Sequence, residues 1–340
     1  MAKRKLKIAL IFGGTSKERD VSLRSGATAA KYLNPKKYDV VPIEISETGK
    51  WLTTSPTIRQ ISKEVATDKV TTRELVPIDE NSKGKIDVAV LVLHGPGGED
   101  GTIQGMLELL NIPYTCSGVL ASALAMDKAR TKAFLSSLGI MVPPGILIEK
   151  QEFIARKKHF LQRIKGKVVV KPNRIGSSLG VSIVAGQGQI KKAVTSAFRH
   201  GDEILVEKFI QGTELTVPVL GNSKPTALPV IEIVPLASSF FDYKAKYAVG
   251  GSDEIVPARI PDRLAKQVQS LALKAHLALG CRGMTRSDFI LDKTGLLYFL
   301  EINTIPGMTP QSLVPKSAAY AGISYSQLLD ILIKLAQEKK

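Results

Sequence analysis

Three oxygen-bearing side chains near the end of the chain have the types and spacing to hold a hard cation. Glu301 and Asn303 stand two apart in FLEINTIPG, and residues two apart on an extended strand face the same way. Asp288 lies on the preceding apolar segment, RSDFILD, and the intervening LDKTG reads as a tight turn, so a hairpin would bring Asp288 beside Glu301. Such a set offers only oxygen, which suits Mg²⁺ with phosphate oxygens completing its shell. The same residues allow a plainer arrangement, in which Asp288 caps a turn and Glu301 pairs with Arg286. A place for phosphate is offered upstream. In VVVKPNRIGSSLGVSIV, Lys171 ends one apolar segment and a Gly-Ser-Ser-x-Gly loop precedes the next. Backbone amides of such a loop cradle phosphate oxygens and a lysine adds a mobile positive charge, although a simple hairpin turn has a similar composition. The chain carries no Walker A pattern and no GxGxxG after a strand, which sets aside P-loop NTPases and dinucleotide folds by motif.

The elements that must position these residues change character along the chain. The first part alternates apolar strands (LKIALIFGG, DVVPIEI, DVAVLVLHG) with helices (VSLRSGATAAKYL, TIQGMLELL), the pattern of a doubly wound, mainly parallel sheet. The helical period places Val21, Ser25, Thr28, Ala29 and Tyr32 near one another. Ligands of such sheets sit beyond the strands' carboxyl ends, where the polar clusters GGTSKERD and HGPGGEDG fall. From about residue 121 one long helix, LASALAMDKARTKAFLSSLG, leads into short strands (KVVVKP, GVSIV, EILVEKFI, ELTVPVL) and one helix near QIKKAVTSAF, an α+β unit. From about 213 come more strands, the aromatic-rich loop ASSFFDYKAKYAVGGSDE, a helix at DRLAKQVQSLALKAHLALG, and the two strands of the acidic hairpin.

The totals exclude several classes. A hydrophobic share of 44% in 340 residues describes a globular chain of two or three packed units. The basic-then-apolar start, MAKRKLKIALIFGG, has an apolar run of only about seven residues ending in two glycines, so it reads as a buried strand rather than a signal peptide. No segment approaches the roughly twenty apolar residues of a membrane span. Cys116 and Cys281 form no CxxC pair, which points away from a disulfide framework or thiolate metal site and suits a reducing cytoplasm. Of the net charge of +16, most comes from residues 122–212, where sixteen Lys and Arg face six Asp and Glu. There is no basic-aromatic interleaving or recognition-helix pattern, so nucleic acid is not the expected partner. A charged nucleotide accounts for part of the excess, and a solvated basic face around Lys157 and Lys158 for the rest.

Taken together, these segments resemble the D-alanine–D-alanine ligases of the ATP-grasp superfamily. The resemblance rests on GGTSKERDVSLRSG (13–26), HGPGGEDGTIQGMLE (94–108), MDKARTK (126–132), VVKPNRIGSSLGVSIV (169–184), EKFIQGTELTV (207–217), FFDYKAKY (240–247), CRGMTRSDFILD (281–292) and LEINTIPGMTPQSLVP (300–315), in family order. It implies an N-terminal α/β domain over 1–121, a central ATP-grasp subdomain over 122–212 and a C-terminal one over 213–340 that bears the metal site and a lid loop. The implied reaction phosphorylates one D-alanine carboxylate with ATP. A second D-alanine then attacks the acyl phosphate, giving a dipeptide for peptidoglycan precursors.

By the same resemblance Lys128, Lys171 and Ser178 hold the ATP phosphates, with Lys246 joining from the lid. Glu207, Lys208, Phe209 and Ile210 line the adenine pocket, and Glu214 takes the ribose. Asp288, Glu301 and Asn303 match ligands of two Mg²⁺ or Mn²⁺ ions. Glu18 matches the carboxylate for the first ammonium, with Ser177 and Tyr247 hydrogen-bonded to it. Arg286 and the Gly307 amide match groups at the transferring oxygens, and Ser312 meets the second substrate. His94, Glu99 and Leu313 border the amino-acid pocket. A tyrosine at 247 goes with a dipeptide product, so D-alanine is the expected acceptor and D-serine or D-lactate the alternative. A homodimer through the N-terminal part is also implied. Pro96, Ile175 and Ile305 depart from the residues common in the family, each close to the substrate pocket or phosphate loop.

Overall fold

A computed structural model describes residues 4–53, 86–176, 179–236 and 251–338. Its first sheet grows from the apolar runs of the N-terminal part: β1 (Leu6–Gly13), β2 (Tyr38–Ile45), β3 (Trp51–Leu52) and β4 (Val88–Leu91), in the order β3-β2-β1-β4. β1 runs parallel to β2 and β4, with β3 antiparallel at the edge. Because side chains alternate, one continuous apolar run serves two faces. Ile8, Leu10 and Phe12 enter one core, and Ala9 and Ile11 enter another with α2 (Thr102–Leu109).

α1 (Arg19–Tyr32) covers the first face. Its buried stripe is Val21, Ser22, Ser25, Gly26, Ala29 and Ala30, so Thr28 and Tyr32 turn further outward than the period predicts. The cause is close approach: a β-carbon on Gly26 would lie 2.6 Å from the Phe12 ring. The same face is closed by the chain's last two helices, α8 (Leu313–Tyr320) and α9 (Tyr325–Ala336), which the sequence reading does not include. Ser324 and Gln327 form a reciprocal capping box at the start of α9, and Leu328, Leu329, Leu332 and Ile333 make its buried stripe.

The single helix expected over 120–139 is instead two, α3 (Val119–Met126) and α4 (Lys128–Ser137). Asp127 breaks them with extended backbone (φ −89°, ψ 93°), and its carboxylate accepts the Arg130 N–H as the cap of α4. Aspartate competes with helix backbone for such donors, which is why it favours caps over helix interiors.

The second sheet is antiparallel, in the order β5-β8-β6-β7: β5 (Gly145–Glu149), β6 (Lys167–Pro172), β7 (Ser182–Ala185) and β8 (Glu203–Lys208). Two helices pack on it, α5 (Lys150–Arg163) and α6 (Gln187–Ala197), where one was expected. α5 contains the basic run: Phe153 and Phe160 are buried, while Arg156, Lys157, Lys158 and Arg163 stand in solvent. The run is a solvated basic face, as read, but on a helix.

The third sheet holds β9 (Gly212–Leu220), β10 (Thr226–Ala227), β11 (Ile231–Pro235), β12 (Ser252–Ile255), β13 (Met284–Asp292) and β14 (Leu297–Asn303). Its order is β12-β11-β9-β13-β14, with β10 on β9, and α3, α4 and α7 (Asp262–Ala278) share its core. The turn expected at LDKTG forms where the Asp292 carboxylate accepts from the Thr294 and Leu296 N–H groups and the Thr294 hydroxyl. Among the described residues no helix is long and apolar enough to cross a membrane.

Candidate active site

The acidic hairpin is positioned by an irregularity in β14. Asp288 pairs directly with Glu301, but Phe289 pairs with Phe299, so Leu300 is an extra residue on one strand. Strict alternation would place Phe299 and Glu301 on the same side. The bulge changes the phase: Phe299 and Ile302 are both buried in the core, while Glu301 and Asn303 face a cavity. The edge-to-face contact of Phe289 with Phe299, at 5.6 Å, anchors the hairpin beneath them, a type of contact that contributes about 1 kcal/mol.

Asp288 accepts from the Thr216 hydroxyl of β9 at 2.6 Å and from the Arg286 guanidinium at 3.0 and 2.8 Å. The guanidinium therefore forks onto Asp288. Glu301 lies 3.5 Å from the Lys128 ammonium, and the Asn303 amide oxygen accepts the Ile305 N–H at 2.8 Å. Two opposed carboxylates and an amide oxygen fit a hard divalent ion that takes its remaining ligands from phosphate and water.

Two cavities meet at Lys128 and Glu301, which line both. The smaller, about 150 Å³, lies between the second and third sheets. Its walls include Val169, Ile183, Phe209, Ile210, Ile290 and Leu300, and its polar groups include Lys171, Glu207, Lys208, Glu214 and Asp288. The break at Asp127 sets Lys128 at the first position of α4, where its ammonium donates to the Ile175 carbonyl at 2.9 Å.

A polar clamp fixes that helix start to the end of β6. Asp127 accepts from the Asn173 amide at 2.9 Å and Arg174 at 2.9 Å, and the Asn173 side chain accepts the Ala129 N–H at 2.9 Å. Burial alone would raise the Asp127 carboxyl, but these donors and Arg130 hold it below the usual carboxylate range. Deeper, Glu207 pairs with Lys171 at 2.7 Å and also with Lys132. Burial would raise Glu207 as well, yet the two ammoniums hold it below its usual value.

The larger cavity, about 790 Å³, opens between the first and third sheets. Glu18 precedes α1, so its carboxylate sits at a helix N-terminus, and it is 6% exposed. Gly95 and Gly176 come so close that a β-carbon on either would lie within 3 Å of a Glu18 oxygen. The Glu99 carboxyl accepts the Gly95 N–H at 2.6 Å; burial first, then the Glu18 charge, pushes it up to about 8. Burial and the Glu18 charge thus favour the neutral form of Glu99. Its proton affinity is higher folded than unfolded, so this contribution to stability is present at acid pH and lost as pH rises towards 8. In thermal melts at pH 6 and 8.5, Glu99→Gln is expected to flatten the decline that the wild type shows.

His94 is buried with its Nδ1–H on the Ile305 carbonyl at 3.0 Å; burial, then Arg286, lower it to about 4. It is neutral, and its Nε2 has no protein partner among the described residues. Across the cavity, Ser312 immediately precedes α8, its hydroxyl accepting the Thr309 N–H, and lies next to Gly307: a β-carbon there would lie 2.8 Å from the Ser312 hydroxyl oxygen. Leu313 lines the cavity while packing on Ile231 and Ile233. The departures from the family pattern divide: Pro96 is exposed, whereas Ile175 lines the smaller cavity and Ile305 is fully buried.

Thus Lys128, Lys171, Glu207, Lys208, Phe209, Ile210, Glu214, Asp288 and Glu301 line the smaller cavity, and Glu18, His94, Glu99, Arg286, Asn303, Gly307, Ser312 and Leu313 the larger. Ser177, Ser178, Lys246 and Tyr247 lie outside the described residues. The sequence reading singled out neither Lys132 nor Asp127, although both lie in MDKARTK at the helix break, nor Thr216 and Asn173.

Residues 7–117 match the family model for the D-ala D-ala ligase N-terminus and residues 134–334 the one for the C-terminus. A curated D-alanine–D-alanine ligase of Pelotomaculum thermopropionicum is 42% identical over 338 residues, covering 98% of this chain and 97% of the relative. Among solved structures, the VanG D-Ala:D-Ser ligase from Enterococcus faecalis superposes with a TM-score of 0.85 at 36% identity, covering 98% of this chain and all of the other. The Bacillus anthracis D-alanine–D-alanine ligase, solved with ATP, gives 0.75 at 33% identity over 97% of each chain. Both matched segments contribute walls to the larger cavity, and the likeness runs from end to end: the chain belongs to the D-alanine–D-alanine ligase family.

Proposed function

We propose that this chain joins two D-alanine molecules into D-alanyl-D-alanine, converting ATP to ADP and phosphate through a D-alanyl phosphate. The observation that carries the reading is the junction of the two cavities at Lys128 and Glu301. A nucleotide in the smaller cavity would direct its terminal phosphate to that junction, where an amino acid in the larger cavity presents its carboxylate.

In this reading the apolar walls around Phe209, Ile210 and Leu300 take the adenine, with backbone groups of Lys208 and Ile210 at its edge and Glu214 at the ribose. Lys128 and Lys171 hold the phosphates. Asp288, Glu301 and Asn303 would hold divalent metal, which supplies charge neutralisation for the phosphates and the spreading charge of the transition state. Glu18 takes the ammonium of the first D-alanine and so turns its carboxylate towards the γ-phosphorus. A carboxylate oxygen forms the new P–O bond while ADP leaves with the bridging oxygen. Arg286 and the Gly307 N–H stabilise the oxygens that gain charge as the second amine then attacks the acyl carbon and phosphate departs. Ser312 and Leu313 position that second molecule. The buried thiols of Cys116 and Cys281 support a reducing cytoplasm as the site of action.

The test is phosphate release from ATP and Mg²⁺ with D-alanine, then with L-alanine, D-serine or D-lactate as alternatives. Release with D-alanine, accompanied by the dipeptide, is the expected outcome. Release only with D-serine or D-lactate as acceptor would move the chain to a ligase of altered product, and no release with any would remove the assignment.

A further inference from the structure

Two buried ammoniums share one buried carboxylate behind the smaller cavity. Lys132, Lys171 and Glu207 are 4%, 8% and 3% exposed, and come from α4, β6 and β8. Lys171 and Glu207 line the cavity; Lys132 lines neither cavity and reaches Glu207 from behind. One lysine would suffice to neutralise one carboxylate, and placing a second cation beside the first costs both burial and mutual repulsion. Those two effects, burial first and Lys171 second, lower the Lys132 ammonium to about 7, while burial is outweighed at Lys171 by Glu207, which raises it. The Glu301 carboxylate at the cavity junction also favours both ammoniums, but the partner that Lys132 and Lys171 share in direct contact is Glu207. A site whose front lysine must change partners needs both.

We propose that Lys132 is a positioning residue, a standing counter-ion of Glu207 that frees Lys171 to engage the nucleotide phosphates. The inference rests on the proposed function, in which Lys171 meets ATP. If Lys171 alone balanced Glu207, its turn towards phosphate would leave a buried carboxylate uncompensated beside a polyanion. With Lys132 in place, Glu207 stays paired when Lys171 turns away, and the loss of the Lys171 repulsion then favours the Lys132 ammonium. Lys128, one helical turn earlier on α4, faces Ile175 and Glu301, so one helix carries a lysine for the front of the site and another for the back.

The experiment is calorimetric titration of ATP with Mg²⁺, without D-alanine, into wild type, Lys132→Met, Glu207→Gln and the double variant, with thermal melts of each. Lys132→Met is expected to weaken ATP binding by about tenfold or more, as for a buried charge deprived of its partner. Its melting temperature is expected to hold, because Lys171 then pairs one-to-one with Glu207. Glu207→Gln in the Lys132→Met background is expected to bind ATP as Glu207→Gln alone does, because a neutral side chain needs no counter-ion. Unchanged affinity in Lys132→Met overturns the inference, and so does a double variant that binds more weakly than Glu207→Gln alone. Should Lys132→Met fail to fold, Glu207→Gln and the double variant decide alone: equal affinities support the role and unequal ones refute it. A folded wild type that binds no ATP overturns the proposed function itself, and this inference with it.

Discussion

Glu301→Gln is expected to lower kcat by about 10²- to 10³-fold with little change in thermal stability, the scale of removing one preorganised electrostatic group from an active site. The substitution keeps the shape and an oxygen but removes the charge that faces both cavities. Glu301 keeps 28% of its side chain exposed and stands 3.5 Å from the Lys128 ammonium, for which the glutamine still offers an oxygen acceptor. Asp288 is less suited to the test, because its carboxylate also ties β9 to Arg286 through Thr216. Activity and melting temperature should therefore separate in Glu301→Gln. A second signature is the metal dependence: the variant should need more Mg²⁺ to reach its own maximum. Wild-type rates and Mg²⁺ dependence in the variant would reduce the hairpin to a structural turn.

The parts of this site that could be read in the sequence are those set by local rules. β1 is a continuous apolar run, and the hairpin turn is made by Asp292 with its own near neighbours. Glu301 and Asn303 share a face because side chains on a strand repeat every two residues. The parts that escaped depend on contacts between distant segments. Both halves of the helix over 120–139 are composed largely of helix formers, and Asp127 becomes a break where Asn173 and Arg174 arrive to bond it. α5 was obscured because cations outnumber its buried residues, and α8 and α9 because their apolar stripes matter only against the first sheet.

The bulge at Leu300 separates the acidic motif, which is local in the sequence, from its support, which is not. Two registers are consistent with FLEIN, and only the packing of both Phe299 and Ile302 into one core selects the register that turns Glu301 outward. Lys132 is a similar case. It is one lysine among many in a basic segment until Glu207, 75 residues away, is placed against it.

The second large effect is expected at Glu18, and it should have opposite signs in activity and stability. Glu18→Gln removes a buried carboxylate that, in the proposed mechanism, pairs with the ammonium of the first D-alanine. Losing one partner of such a desolvated pair costs about 2–5 kcal/mol of binding, so the KM for the first D-alanine should rise by about 10²-fold or more. The Kd for ATP should stay near wild type, because Glu18 lines the larger cavity and not the smaller. In the ligand-free protein, however, the Glu18 charge is one of the causes that raise Glu99, so neutralising it relieves a like-charge repulsion. Glu18→Gln should therefore melt at or above the wild-type temperature near pH 8, and the Glu99 carboxyl should titrate at lower pH when followed by NMR. The Glu18 charge that serves binding thus carries a stability cost through its repulsion of Glu99, which the substitution relieves. If Glu18→Gln bound D-alanine normally, the ammonium would have to be held elsewhere, and the orientation proposed for the attacking carboxylate would go with it.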